Sequence, residues 1–309
     1  AHSQVLSDPV EVEAPTLSDL SISLFLPTAT KATTSHILAL QTSYVSTTGD
    51  FTQAVKFPVE KTIDSWPFLT GVDVVASPNG ATIVALGSSL TDGDGSTMDA
   101  NHRWPDALAE RLQKAEGSKS RLGVLNLGII GNRLLHGSPQ VPASPFGAAL
   151  GESGLARFER DVLSQPGVKY VFVCLGINDI LFPAFTFTPV DEKVSAKDII
   201  AGYRQLVARA HKKGLRIIGT TIPPFENAFF KKPRAEFYTP EREAVRQEVN
   251  TWISTGAFDA VVDFEAPVRD PAHPTRIRTD YDSGDHLHVN DVGYIATGNA
   301  VPLSLFERH

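Results

Sequence analysis

Hydrophobic and polar positions along the chain follow two different periods, and the change falls near residue 80. Before it, Leu20, Ile22, Leu24 and Leu26 alternate with Ser21, Ser23 and Phe25, a period of two that predicts a strand. Val10-Glu11-Val12-Glu13, His36 to Tyr44 and Trp66 to Ala76 read as further strands, punctuated by Pro9, Pro15, Pro27, Pro58, Pro67 and Pro78. Residues 1–78 are therefore expected to form a small, antiparallel, sandwich-like β module.

From residue 79 onward the pattern becomes strand, loop, helix, repeated. Thr82 to Leu86, Arg121 to Leu127, Val168 to Leu175, Leu215 to Ile222 and Asp259 to Phe264 are short apolar runs. Between and after them, helices are expected over Pro105 to Ala115, Ser153 to Ser164, Ala196 to Lys213, Thr239 to Ser254 and Val292 to Phe306. Pro105 begins the first of these in its first turn, and Gly214 is placed to cap the third. Strands that alternate with helices imply an α/β domain, a parallel sheet covered on both faces. In such sheets ligands bind at the carboxyl ends of the strands. Attention thus falls on the loops after residues 86, 127, 175, 222 and 264.

The 309 residues carry 42% hydrophobic and 20% charged residues, enough apolar surface for a core and incompatible with wholesale disorder. Net charge is -7 and no Lys/Arg run stands out, so no nucleic-acid partner is expected. No apolar run approaches the ~20 residues of a spanning helix, so a soluble chain is expected. Cys174 is the one cysteine, which excludes an intrachain disulfide and a Cys-based zinc site. The chain opens on Ala1-His2-Ser3-Gln4, without an initiating Met or a basic region followed by an apolar run. A processed or trimmed chain, secreted or periplasmic, is the expectation.

Four loops carry candidate chemistry. Gly87-Ser88-Ser89-Leu90-Thr91-Asp92-Gly93 follows the first strand of the α/β region. A Ser held between strand and helix can act as a nucleophile while its N–H faces a developing oxyanion. A plain Gly/Ser/Asp turn explains the segment equally, and Thr91 rules out the Gly-x-Ser-x-Gly elbow. Asn126-Leu127-Gly128-Ile129-Ile130-Gly131-Asn132-Arg133 follows the second strand and lacks the spacing of a phosphate cradle. Gly176-Ile177-Asn178-Asp179 follows the third, where a side-chain amide can donate to an oxyanion or merely close an Asx turn. Asp282-Ser283-Gly284-Asp285-His286-Leu287-His288-Val289-Asn290 precedes the last helix. There Asp285 can hold one imidazole nitrogen of His288 and leave the other for a serine. Asp282, Asp285, His286 and His288 could alternatively form a metal cluster, although the pattern has no third His-rich segment.

Taken in order, Ser after the first strand, Gly after the second, Asn after the third and Asp-x-x-His before the last helix resemble the SGNH, or GDSL-type, hydrolase family from about Thr82 to the C-terminus. The upstream β module, Arg103-Trp104-Pro105-Asp106 and Asp285-His286-Leu287-His288-Val289-Asn290 are most similar to a bacterial group of arylesterases and acylhydrolases. In that group the β module begins further upstream, so an incomplete module is expected here.

The resemblance implies a three-layer α/β/α, flavodoxin-like domain with a five-stranded parallel sheet over residues 79–309. It implies Ser89 as nucleophile, His288 as general base and then acid, and Asp285 as the residue that orients His288. It implies an oxyanion hole from the N–H groups of Ser89 and Gly131 with the Asn178 side chain. It implies no metal and no other cofactor. The expected activity is serine ester hydrolysis of short-chain acyl esters, aryl, alkyl or on an acetylated carbohydrate, through an acyl-enzyme. One departure stands out: the family's Asp before the nucleophile is Ser88 here. Ser88 alone favours the alternative of a carbohydrate-binding or adhesion protein with a degenerate hydrolase domain.

Overall fold

A computed structural model describes residues 5–32, 35–76, 79–115, 117–139, 144, 146–228 and 237–307. The chain divides into two compact units, residues 1–72 and 73–309.

Among its described residues the first unit contains four short strands, β1 (Ser35–His36), β2 (Ser43–Ser46), β3 (Val59–Ile63) and β4 (Trp66–Pro67). β1 pairs with β4 and β2 with β3, both antiparallel. The single strand expected over His36 to Tyr44 is split. Leu40 takes a left-handed backbone (φ 53°) and turns the chain between β1 and β2. Phe68 (φ 68°) likewise ends β4 long before Ala76. Leu20 to Leu26 and Val10 to Glu13 form no strand at all. Their alternation is genuine, but no strand among the described residues pairs with them, and Leu20, Ile22, Leu24 and Leu26 stay exposed.

The second unit is the expected α/β domain. β5 (Ala81–Gly87), β6 (Leu122–Gly128), β7 (Val168–Cys174), β8 (Arg216–Thr220) and β9 (Ala260–Val262) form one sheet in the order β6-β5-β7-β8-β9. Every pairing is parallel. Among the described residues seven α-helices accompany the strands: α1 (Ser89–Asp92), α2 (Trp104–Lys114), α3 (Gly154–Phe158), α4 (Ile177–Leu181), α5 (Ala196–Lys212), α6 (Pro240–Ile253) and α7 (Asp291–Asn299). Alternate side chains of each strand go to opposite faces. Val84, Leu86, Val171, Val173 and Ile217 pack with Phe158, Leu206 and Val249 from α3, α5 and α6. Ile83, Ala85, Phe172 and Ile218 pack with Trp104, Leu108 and Tyr294 from α2 and α7. Three layers result, and burial on both faces explains why the strands read as continuous apolar runs.

Two expected helices are shorter than their patterns. The segment 153–164 is α3 followed by one π-turn, Glu159–Leu163. The final helix ends at Asn299, because Pro302 cannot continue it, and a 3₁₀ turn over Leu303–Phe306 completes the segment. Among the described residues no helix is long and apolar enough to cross a membrane.

The strand order reverses beside β5, with β6 on one side and β7 on the other. This is the switch point at which a crevice opens beyond the carboxyl ends of the strands.

Candidate active site

β5 delivers Ser89 directly into that crevice. Ser88 is still extended (φ -108°, ψ -153°), and its carbonyl accepts the N–H groups of Thr91 and Asp92 at 2.9 and 2.8 Å. These bonds force the chain into α1, whose first residue is Ser89. The Ser89 side chain is buried, and its Oγ lies 2.8 Å from His288 Nε2.

His288 comes from the loop before α7. That loop is closed by a bridge between Asp282 and Val289 and by a bond from Ser283 N to the His288 carbonyl. Asp285 organises it. Its Oδ1 accepts the Leu287 and His288 N–H groups at 2.9 and 2.8 Å, and its Oδ2 lies 2.6 Å from His288 Nδ1. The three-residue spacing thus folds the carboxylate back onto the imidazole of the same turn. An acceptor-only carboxylate on Nδ1 fixes the proton there and leaves the Nε2 lone pair for the serine hydroxyl.

Burial alone would push the His288 pKa down, but the hydrogen bond to Asp285 and the charges of Asp94, Asp285 and Asp282 outweigh it, so the pKa lies above the ordinary imidazole value. Burial also opposes ionisation of Asp285, yet the His288 side chain and the two N–H groups hold its carboxyl well below the usual carboxylate range. Asp285 therefore stays ionised wherever the imidazole titrates.

The structure ties Gly131 and Asn178 to the same end of the sheet. Asp92 Oδ2 accepts Ile130 N at 2.8 Å, which fastens the loop after β6 to α1. Gly131 has φ 67°, and a Cβ there would meet Leu150 at 2.8 Å, so only glycine fits without strain. Asn178, at the start of α4, donates from Nδ2 to the Asn132 carbonyl at 3.0 Å, leaving its second amide hydrogen for another acceptor. Among the described residues the N–H groups of Ser89 and Gly131 make no hydrogen bond.

Four supporting residues were not distinguished by sequence reasoning. Asp92 acts as described. Asn132 donates to the Leu150 and Glu152 carbonyls at 2.8 and 2.7 Å and accepts from Arg157 Nε at 3.1 Å. Buried Arg157 donates to the carbonyls of Gly87 and Leu127, clamping the ends of β5 and β6. Asp179 accepts the Leu134 and Leu135 N–H groups at 2.7 and 2.9 Å, and burial pushes its pKa up to about 6. Asn132 and Asp179 stand inside the strand-end loops, which is the signal that could have singled them out. Arg157 sits in a helical stretch where periodicity treats it as an outward charge.

The four residues of the rival metal cluster separate into two pairs. His286 Nδ1 engages Asp282, while His288 Nδ1 engages Asp285. His286 has φ 63°, and the imidazole hydrogen-bonded to Ser89 is that of His288. Ser88, where the resemblance leads one to expect Asp, is fully buried and its Oγ has no hydrogen-bond partner among the described residues. A buried hydroxyl without a partner costs roughly 1–3 kcal/mol. Ser88→Ala is therefore expected to leave stability unchanged or raise it by up to ~1 kcal/mol in urea unfolding, and a loss above that size would show that the hydroxyl has a partner.

Residues 83–301 match the family model of GDSL-like lipase/acylhydrolase. No curated protein matches the chain. Among solved structures, the chain is similar to an aryl esterase of M. smegmatis, with 17% identity, 72% of this chain and 96% of that one covered, and a TM-score of 0.51. It is also similar to a variant of an acetyl-xylooligosaccharide esterase from Geobacillus (21% identity, 72% and 93% covered, TM-score 0.50). A carbohydrate acetylesterase family member from Sinorhizobium meliloti gives 18% identity, 71% and 94% coverage, and a TM-score of 0.50. At these identities the likeness establishes a shared fold.

Proposed function

Since the chain belongs to the GDSL-like lipase/acylhydrolase family, we propose that it is a serine ester hydrolase that cleaves short-chain acyl esters through an acyl-enzyme on Ser89. Residues 79–309 form the hydrolase domain in this reading, and residues 1–78 a separate β-rich module. What carries the reading is the hydrogen-bonded series Ser89 Oγ, His288 and Asp285, at 2.8 and 2.6 Å.

His288 Nε2 takes the Ser89 proton as Oγ attacks the ester carbonyl carbon. The oxygen that gains charge is met by the N–H groups of Ser89 and Gly131 and by the Asn178 amide. The imidazolium, held by Asp285, then returns its proton to the leaving alcohol, and the Ser89 acyl ester remains. Water, deprotonated by the same nitrogen, releases the acid and restores the serine. The scheme uses no metal and no cofactor. Short aryl or alkyl esters and acetylated carbohydrates are the substrate class, and hydrolysis of p-nitrophenyl acetate is the test.

Asn178→Ala should lower kcat about 10²–10³-fold, the usual effect of removing one oxyanion donor, with KM little changed. A loss confined to KM would make Asn178 a ground-state binder.

Activity requires neutral His288. Its raised pKa means that kcat/KM should climb with pH through one transition above the ordinary imidazole value of 6.5. A pH–rate profile with and without EDTA checks this. The two profiles should superimpose; loss on chelation with rescue by a divalent ion would favour the metal-cluster reading.

A further inference from the structure

Asp94 is a second carboxylate on the serine side of His288. Its Oδ2 lies 3.7 Å from His288 Nε2, the nitrogen that faces Ser89. Its position is fixed by the fold. Asp94 N donates to the Ser89 carbonyl at 3.0 Å, and its own carbonyl accepts Tyr294 OH at 2.6 Å. The next residue, Gly95, has φ 90°, and a Cβ there would meet Ser283 and the Val289 carbonyl, each at 2.8 Å. The backbone of Asp94 is therefore wedged between α1 and the loop that carries His288.

The Asp94 carboxylate nevertheless accepts no hydrogen bond among the described residues, in contrast to Asp92 and Asp285. Its side chain is 33% exposed, so a ligand can reach it. Nothing in the Ser89, His288 and Asp285 series needs it, since Asp285 already fixes the tautomer.

The place it occupies has a chemical meaning, given the esterase reading on which this inference rests. His288 Nε2 must hand its proton to the leaving oxygen, which then lies about 2.8 Å from that nitrogen. A carboxylate oxygen only 3.7 Å from Nε2 and open to solvent is within reach of groups borne close to that leaving oxygen. We propose that Asp94 is a specificity-determining residue that accepts a hydrogen bond from a donor, hydroxyl or ammonium, borne next to the ester oxygen of the leaving alcohol. With Asp94, Asp282 and Asp285 around one imidazole, an anionic leaving group would be repelled.

The test compares kcat/KM for 2-hydroxyethyl acetate, 2-methoxyethyl acetate and protonated 2-(dimethylamino)ethyl acetate. Wild-type protein should favour at least one donor ester over the methoxy ester about tenfold or more, the usual effect of one charge-assisted hydrogen bond. Whichever donor ester leads identifies the source of the donor. Asp94→Ala should bring that ratio close to one, and Asp94→Asn should reduce it. A wild-type ratio near one, or a ratio unchanged in both variants, overturns the assignment while leaving the esterase reading in place. Wild-type protein that hydrolyses none of the esters, nor p-nitrophenyl acetate, overturns both.

Discussion

Ser89→Ala should lower kcat for p-nitrophenyl acetate by several orders of magnitude, with KM close to that of the wild type. In the proposed scheme the hydroxyl oxygen bonds to the acyl carbon, so its loss removes the covalent route and leaves only whatever binding and the oxyanion donors can do. Substrate binding does not depend on it, which is why KM should hardly move. His288→Ala should cost a similar factor, and the double variant little more than either single one, because the two side chains act as a unit in the same step. The fold should tolerate Ser89→Ala: the main-chain bonds that build α1 run from the carbonyls of Ser88 and Ser89 and do not involve Oγ. Steady-state kinetics of the purified variants, with circular dichroism as the control for folding, checks the prediction. Multiplicative losses would mean that Ser89 and His288 serve separate steps.

Asp285→Asn should reduce kcat about 10⁴-fold, an effect that depends on the tautomer of His288. All the contacts Asp285 makes within its loop use it as an acceptor: two N–H groups and a hydroxyl on Oδ1, and His288 Nδ1 on Oδ2. An Asn side chain has one acceptor and one donor end. If its NH₂ faces Nδ1, the imidazole proton moves to Nε2 and the nitrogen opposite Ser89 can no longer accept. If its NH₂ faces the Leu287 and His288 N–H groups, donor meets donor and the loop must shift. Either outcome should also move the His288 transition to lower pH, since the hydrogen bond and charge of Asp285 are gone and only Asp94 and Asp282 still oppose the effect of burial. A variant with wild-type kcat and an unchanged pH profile would show that Asp285 does not orient His288.

Much of the second unit was legible because burial there is two-sided. The runs around Thr82 to Leu86 and Val168 to Leu175 are apolar on both faces, and only a covered parallel sheet gives them neighbours on both. The first unit was less legible. Leu20 to Leu26 alternates as a strand should, yet alternation supplies a face and not a hydrogen-bonded partner. Leu40 and Phe68 turn the chain in a left-handed conformation that apolar residues rarely adopt, so nothing in their chemistry announces the turn.

At the candidate site, residue type and spacing were informative where the hydrogen bonds are local. Asp285 and His288 must be three apart for one carboxylate to reach both the imidazole and its backbone N–H. The short helices α1 and α4, which present Ser89 and Asn178, span only four and five residues. Such lengths are below what helical periodicity can reveal. Long-range partners were equally hidden. Arg157 reaches the carbonyls of residues 70 and 30 positions away, and Asp94 meets His288 from the far end of the domain's sequence.

The central claim is that Ser89 is the nucleophile of an ester hydrolase, and covalent labelling tests it most directly. Wild-type protein treated with a fluorophosphonate should gain one adduct per chain, on the peptide that carries Ser89, and lose p-nitrophenyl acetate hydrolysis in step with labelling. Ser89→Ala should gain no adduct. An adduct on another residue with Ser89 unmodified, or esterase activity retained in the fully labelled protein, would contradict the account.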